Sequence, residues 1–153
     1  KNNHKNLEFL QKNIEDLKLP KKFTFAYSLF NVINCLSNLK ELISFFTSLN
    51  NNLEISSNVF FECWNAIPCI IDPPKVVNRK YIDKKKQINL EREANPTCDF
   101  INQKILINYQ INGFIKEKNI NFTSTHRISL FTILEIEYAL ELSGFSIINC
   151  YTA

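Results

Sequence analysis

The sequence predicts an α/β fold with a parallel sheet and an inserted antiparallel β extension. Two observations lead to this fold class. A strand, a helix and a second strand follow one another over Phe23–Cys63, and this order is typical of parallel pairing through a right-handed crossover. Apolar and polar residues then alternate over much of Val76–Leu130, which is typical of antiparallel strands with one buried face.

The first half of the chain is predicted to contain three strands and one helix. Apolar residues recur at helical spacing from Leu39 to Leu49, which predicts an amphipathic helix. The prolines within Trp64–Pro74 are expected to exclude regular structure there. The predicted elements are strands at Asn6–Leu10, Phe23–Leu29 and Asn58–Cys63, a turn or a single helical turn at Asn13–Leu17, a turn leading into helical residues at Phe30–Leu36, and a helix at Asn38–Leu49.

Four strands are predicted in the second half, and the register of the last two can be argued from their faces. A turn at Asn112-Gly113 would place apolar residues opposite lysines, so a loop at Lys116–Asn119 is preferred. This register pairs Tyr109 with His126 and leaves Gly113 as a bulge or a site of close approach. The predicted strands are Val76–Ile82, Gln87–Glu93, Lys104–Ile111 and Ile120–Leu130.

A helix and a strand are predicted to follow. Thr132 and Glu135 have the spacing of a capping box, in which each residue binds the other's backbone N–H. The helix should run to about Ser143, where Gly144 is placed to end it. Phe145–Tyr151 is then predicted to be a final strand.

Composition restricts the class of partner. The 153 residues suffice for one domain with a core, and the net charge of +3 does not require a nucleic-acid partner. No apolar run is long enough to span a bilayer, so no membrane partner is expected. The five cysteines form no CxxC pair, which favours neither a disulfide framework nor a metal site and fits a reducing cytoplasm.

Three segments together resemble class I S-adenosylmethionine-dependent methyltransferases of the small-molecule type. They are KKFTFAYSLFNVINCL, FFECWN and THRISLFTILEIEYALELSGFSIINCY, and the resemblance extends from about Leu7 to Tyr151. It implies a Rossmann-like methyltransferase sheet that is incomplete at the N-terminal side, within a single partial domain over residues 1–153. Residues 76–130 would form an antiparallel β insertion in that domain.

The family's main cofactor motif is a glycine-rich loop followed by an acidic strand end, and this chain has glycine only at Gly113 and Gly144. The chain also contains no methionine and begins with lysine. We therefore expect a C-terminal portion of a complete methyltransferase. A stand-alone degenerate protein is the other explanation.

The resemblance implies a site for the cofactor, S-adenosylmethionine. Asn13 and Ile14 match the acidic and apolar residues that hold the adenine in the family, although here an amide replaces the acid. An Asx turn or helix cap would explain Asn13 equally well. Leu29, Phe30 and Asn31 match the segment beside the methionine part of the cofactor, and a plain core role is the alternative for Leu29 and Phe30.

Acceptor and catalytic residues are expected beyond the third strand. Trp64 and Asn65 match the region that lines the acceptor pocket in the family, although Trp64 could simply be a packing residue. His126 is the candidate base, because histidine exchanges a proton near neutral pH, and Tyr109 would orient the acceptor. A histidine satisfied within the core is the alternative, whereas Arg127 is expected on the opposite face and His4 is expected to be uninvolved.

The function implied is methyl transfer to a nitrogen or oxygen of a small molecule, with amino sugars and amines among the acceptors of similar enzymes. A non-catalytic binding or oligomerisation module derived from this fold remains the alternative, with the antiparallel strands as a homodimer surface. A nucleic-acid methyltransferase is disfavoured by the modest charge and by the lack of an N-P-P-[YF] type motif.

Overall fold

The computed structural model describes residues 7–151 and has the predicted mixed α/β architecture. Its parallel sheet contains two strands, β1 at Phe23–Ser28 and β2 at Leu53–Phe61. Helix α1, Leu39–Asn51, crosses between them. The second sheet has four antiparallel strands in chain order: β3 at Val77–Asp83, β4 at Ile88–Asp99, β5 at Lys104–Ile115 and β6 at Lys118–Ser129.

The first core lies between the parallel sheet and the helices. Helix α1 begins at Asn38, whose side chain accepts a hydrogen bond from the Glu41 backbone N–H at 3.0 Å. Its apolar face packs against α3, Ile133–Leu142, which begins at the predicted capping box. The residues buried in this core are Ile33, Leu42, Phe45, Phe46, Phe131, Ile136, Ala139 and Leu140.

The second core covers one face of the antiparallel sheet near its junction with the rest of the chain. Its buried residues are Ala66, Ala94, Ile105, Ile107 and Leu130, with Trp64 and Tyr109 packed against them. The two parts of the fold are joined by a parallel bridge between Asn65 and Phe131, at which the Ala66 N–H donates to the Phe131 carbonyl at 3.0 Å.

The hairpin of β5 and β6 uses a different register from the predicted one. A two-residue turn at Lys116 and Glu117 replaces the four-residue loop, so Tyr109 faces Ser124 and His126 faces Ile107. The turn requires a positive φ, and Lys116 adopts 56° although it is not a glycine. Because the shift is two residues, every side chain keeps its predicted face.

Gly113 is a site of close approach, as predicted. Its φ is +141°, and a Cβ atom placed there would lie 2.0 Å from the carbonyl oxygen of Asn89 on the neighbouring strand. Gly144, with φ +81°, follows the last helix at the predicted position.

Three further predictions about elements are wrong. Residues 7–10 form no strand, and Asn6 lies outside the described residues. A short helix, α2 at Ala66–Ile71, includes Pro68, because the first N–H groups of a helix have no partner within it and a proline there loses no hydrogen bond. Phe145–Tyr151 is irregular, since a strand needs a paired neighbour and no described strand pairs with this segment.

Candidate functional site

The carboxyl ends of the two parallel strands are tied together by Glu62. Its backbone N–H donates to the Ser28 carbonyl at 3.0 Å, and its carboxylate accepts from the Phe30 N–H at 2.8 Å. Phe30 and Asn31 both have left-handed backbones, with φ 60° and 59°, and Phe30 is 86% exposed. Consecutive left-handed residues other than glycine are strained, and such strain tends to occur at functional sites.

Asn34 links this strand-end loop to the antiparallel sheet. It is 1% exposed, and its Nδ2 donates to the Ser129 carbonyl at 2.7 Å and to the Trp64 carbonyl at 3.0 Å. Its Oδ1 accepts from the Trp64 N–H at 2.8 Å. The amide therefore holds Trp64 by both backbone groups. Sequence reasoning missed this residue, although a polar side chain between the apolar Ile33 and Cys35 is a signal of a buried bridge.

Tyr109 and His126 lie side by side on one face of the antiparallel sheet. Their ring centroids are 4.9 Å apart with the planes at 73°, an edge-to-face arrangement. His126 is exposed and is not satisfied within a core, so its imidazole can be reached by a molecule bound at this face. The predicted proximity of Tyr109 and His126 is present, as a diagonal rather than a direct pair.

A cleft of about 450 Å³ lies between the strand-end loop and this sheet face. It brings together five of the predicted site residues: Phe30, Asn31, Trp64, Tyr109 and His126. The other residues that line it are Cys35, Pro74, Val77, Arg79, Arg92, Ala94, Pro96, Ile107, Arg127 and Ile128.

The other four predicted residues lie outside the lining of this cleft. Asn13 forms an Asx turn, with its Oδ1 accepting from the Glu15 N–H at 3.3 Å, and Ile14 packs against the first core. The Asn65 side chain caps α2 by accepting from the Ile67 N–H. Leu29 is half-buried beside Phe30.

Arg79 and Arg92 are cleft residues that sequence reasoning missed. They occupy facing positions on β3 and β4, and the Arg92 Cζ lies 5.2 Å from the centroid of the Tyr109 ring. Each of the two predicted strands carries an arginine among its apolar residues, and this pattern could have identified them from the sequence. Alternation places both arginines on the same sheet face as Tyr109.

Cys63, just after β2, is a partly buried cysteine. Burial raises the pKa of the Cys63 thiol, followed by a smaller effect of Cys150, so Cys63 remains protonated near neutral pH and is a weak nucleophile.

Within residues 7–151, no group of three or more His, Cys, Asp or Glu side chains is arranged to hold a metal ion. None of the described helices has the length and apolarity needed to cross a membrane.

No protein-family model and no curated protein sequence matches the chain. Solved structures do match. An S-adenosylmethionine-dependent methyltransferase from Clostridium acetobutylicum superposes with a TM-score of 0.76 at 14% identity, over 92% of this chain and 56% of that one. The fold is that of these methyltransferases.

Two further methyltransferase structures show the same likeness. A sugar N-methyltransferase from Streptoalloteichus matches with a TM-score of 0.77 at 13% identity, covering 88% of this chain and 52% of its own. An amino pentose methyltransferase from Micromonospora, solved with S-adenosylmethionine bound, matches with a TM-score of 0.72 at 16% identity. The match covers 87% of this chain and 54% of that one. The chain therefore spans about half the length of these proteins, consistent with the predicted C-terminal portion of a Rossmann-like methyltransferase.

Proposed function

We propose that this chain forms part of an S-adenosylmethionine-dependent methyltransferase that acts on a nitrogen or oxygen of a small molecule. One observation carries the proposal. In a fold shared with such enzymes, a single cleft joins the strained loop at the strand ends to an exposed histidine on the facing sheet. Ligands of open α/β sheets bind outside the carboxyl ends of the strands, which is where this cleft opens.

We infer that two of the described residues would hold one end of the cofactor. Phe30 and Asn31 would lie beside its methionine part, because they border the cleft at the end of β1. Contact of Asn13 and Ile14 with the adenine stays a prediction. In the structure, the Asn13 Oδ1 accepts a hydrogen bond from the Glu15 N–H within its own turn. When bound, S-adenosylmethionine supplies an activated methyl group on a sulfonium.

The chain's own residues would then orient the acceptor and move a proton. The His126 imidazole would accept the proton from the acceptor nitrogen or hydroxyl, and the Tyr109 hydroxyl would hydrogen-bond the acceptor next to it. Trp64, fixed by Asn34, would cover one side of the acceptor and exclude water. Asn65 acts in this scheme only by beginning α2 after Trp64.

Within this proposal, the favoured acceptor is the amine of an amino sugar or a related amine. Support comes from the matched structures, which include a sugar N-methyltransferase and an amino pentose methyltransferase. A hydroxyl acceptor is the alternative. The predicted cytoplasmic location and homodimer remain predictions.

A binding or oligomerisation module is the second candidate function. The observation that favours it is a set of exposed apolar side chains on one face of the antiparallel sheet, among them Tyr81, Ile115 and Phe122. Such side chains are typical of surfaces that bind other proteins.

Transfer of tritium from methyl-labelled S-adenosylmethionine to a panel of amines and amino sugars tests the proposal, with the protein expressed at its full native length. Labelled product that depends on the acceptor supports the enzyme. Absence of product with every acceptor, together with a concentration-dependent dimer in light scattering, would support the module instead.

A further inference from the structure

We propose that Arg79 and Arg92 bind an oxyanion, either a carboxylate or a phosphate, on the molecule that occupies the cleft. The inference deepens the proposed function and rests on it for one point only, namely that this molecule is the methyl acceptor. The binding itself follows from the arrangement of charge on β3 and β4.

The two arginines face each other directly in the β3–β4 register, and both line the cleft. Like charges at directly opposed positions destabilise a sheet. The next pair along, Lys80 and Glu91, points to the opposite face and forms an ion pair at 2.5 Å. On the outer face, Lys80 is therefore paired with a carboxylate on the facing strand. On the cleft face, Arg79 and Arg92 face each other, and neither has a carboxylate opposite it.

The surroundings of the arginine pair are cationic as well. The cleft lining includes no Asp or Glu, and its other basic groups are His126 and Arg127, the latter placed by alternation on the opposite face. Cys35 and Tyr109 are its remaining titratable side chains. The acid that shares the cleft face of these strands is Asp83, at the far turn, where it lies 3.8 Å from Lys86. A bound oxyanion would supply the missing negative charge.

Arg92 is positioned for such a ligand. Its guanidinium lies over the Tyr109 ring, which restricts its orientation, and its Nε is buried with no hydrogen-bond partner in residues 7–151. A planar guanidinium binds carboxylate or phosphate through paired N–H groups, which makes arginine better suited to this task than lysine.

The position of the pair restricts the acceptor. The Arg92 Cζ lies 5.2 Å from the centroid of the Tyr109 ring, and that centroid lies 4.9 Å from the centroid of the His126 ring. The guanidinium and the base are therefore at most about 10 Å apart, the sum of these two distances. The acceptor would therefore carry its acidic group close to the nitrogen or oxygen that is methylated.

Binding of two probes to the native protein tests the proposal without any methyl transfer. Inorganic pyrophosphate represents phosphate and succinate represents carboxylate, each titrated by calorimetry against sodium chloride of equal ionic strength. The matched variants are Arg92→Gln and Arg79→Gln, with Lys80→Gln as the control on the outer face. We expect saturable binding of at least one probe, weakened about tenfold or more by either arginine substitution and unchanged in the control.

Unfolding of the same variants separates a binding role from a structural one. Arg79→Gln removes the opposed charge, so without probe it should be at least as stable as the native protein while binding less. Two results would overturn the proposal: no saturable binding beyond that of sodium chloride, or equal weakening in Lys80→Gln. Loss of methyl transfer with intact probe binding would contradict the proposed function alone.

Discussion

Replacing Asn34 with alanine should loosen the wall of the cleft that contains Trp64. The substitution removes three hydrogen bonds, one to the Ser129 carbonyl and two to the backbone of Trp64, with lengths from 2.7 to 3.0 Å. Each such bond contributes about 0.5–1.5 kcal/mol, so the free energy of unfolding should fall by about 1.5–4.5 kcal/mol. This is a large share of the roughly 5–15 kcal/mol that stabilises a typical domain.

Urea denaturation followed by Trp64 fluorescence measures this loss, because Trp64 is the chain's one tryptophan. Asn34→Asp is a second variant that keeps the acceptor for the Trp64 N–H but sets a carboxylate against two carbonyl oxygens, so it should be destabilised as well. Asn121→Ala changes an exposed amide and should cost less than about 0.5 kcal/mol. If Asn34→Ala is as stable as Asn121→Ala, the bridge does not hold the cleft together.

Three other predictions follow from local geometry. Gly113→Ala should lower the free energy of unfolding by about 3 kcal/mol or more in urea, because its Cβ would lie 2.0 Å from the Asn89 oxygen; a stable variant would contradict the register. Glu62→Ala should cost about 1 kcal/mol and weaken binding of S-adenosylhomocysteine in calorimetry, since Phe30 loses its carboxylate partner; unchanged affinity would refute a cofactor role for the loop. Alkylation of Cys63, followed by mass spectrometry, should have its midpoint above pH 9 or so, because burial raises the pKa and keeps the thiol protonated; a midpoint at or below that value would argue that Cys63 is not buried. The folded state then binds more protons than the unfolded state above that pH, so this thiol makes the protein less stable as pH rises further.

Local signals predicted the elements whose cause lies within a few residues. The capping box of Thr132 and Glu135 is present, with hydrogen bonds of 2.7–3.2 Å in both directions. Gly113 was predicted correctly because close approach of a neighbouring strand leaves room for no side chain. The predicted sheet face of every residue in the β5–β6 hairpin is also confirmed. Alternation along each strand determines the face, and a register error of two residues leaves it unchanged.

Features that depend on distant partners could not be predicted in this way. The tight turn at Lys116 uses a positive φ without the usual glycine or asparagine. Asn34 gains its role only when β6 and the Trp64 loop come together around it. Arg79 and Arg92 each look like an ordinary strand residue, and their opposition emerges only from the pairing of β3 with β4.

The proposed methyl transfer with His126 as base is tested most directly by measuring turnover in the native protein and in His126→Asn. Labelled S-adenosylmethionine and the best acceptor of the panel would be used, with His4→Asn as a control that changes the chain's other histidine. Because His126 is exposed, the free energy of unfolding should change by less than about 0.5 kcal/mol, while kcat should fall about 100-fold or more. Full turnover in His126→Asn, or a loss of stability that matches the loss of turnover, would contradict this account.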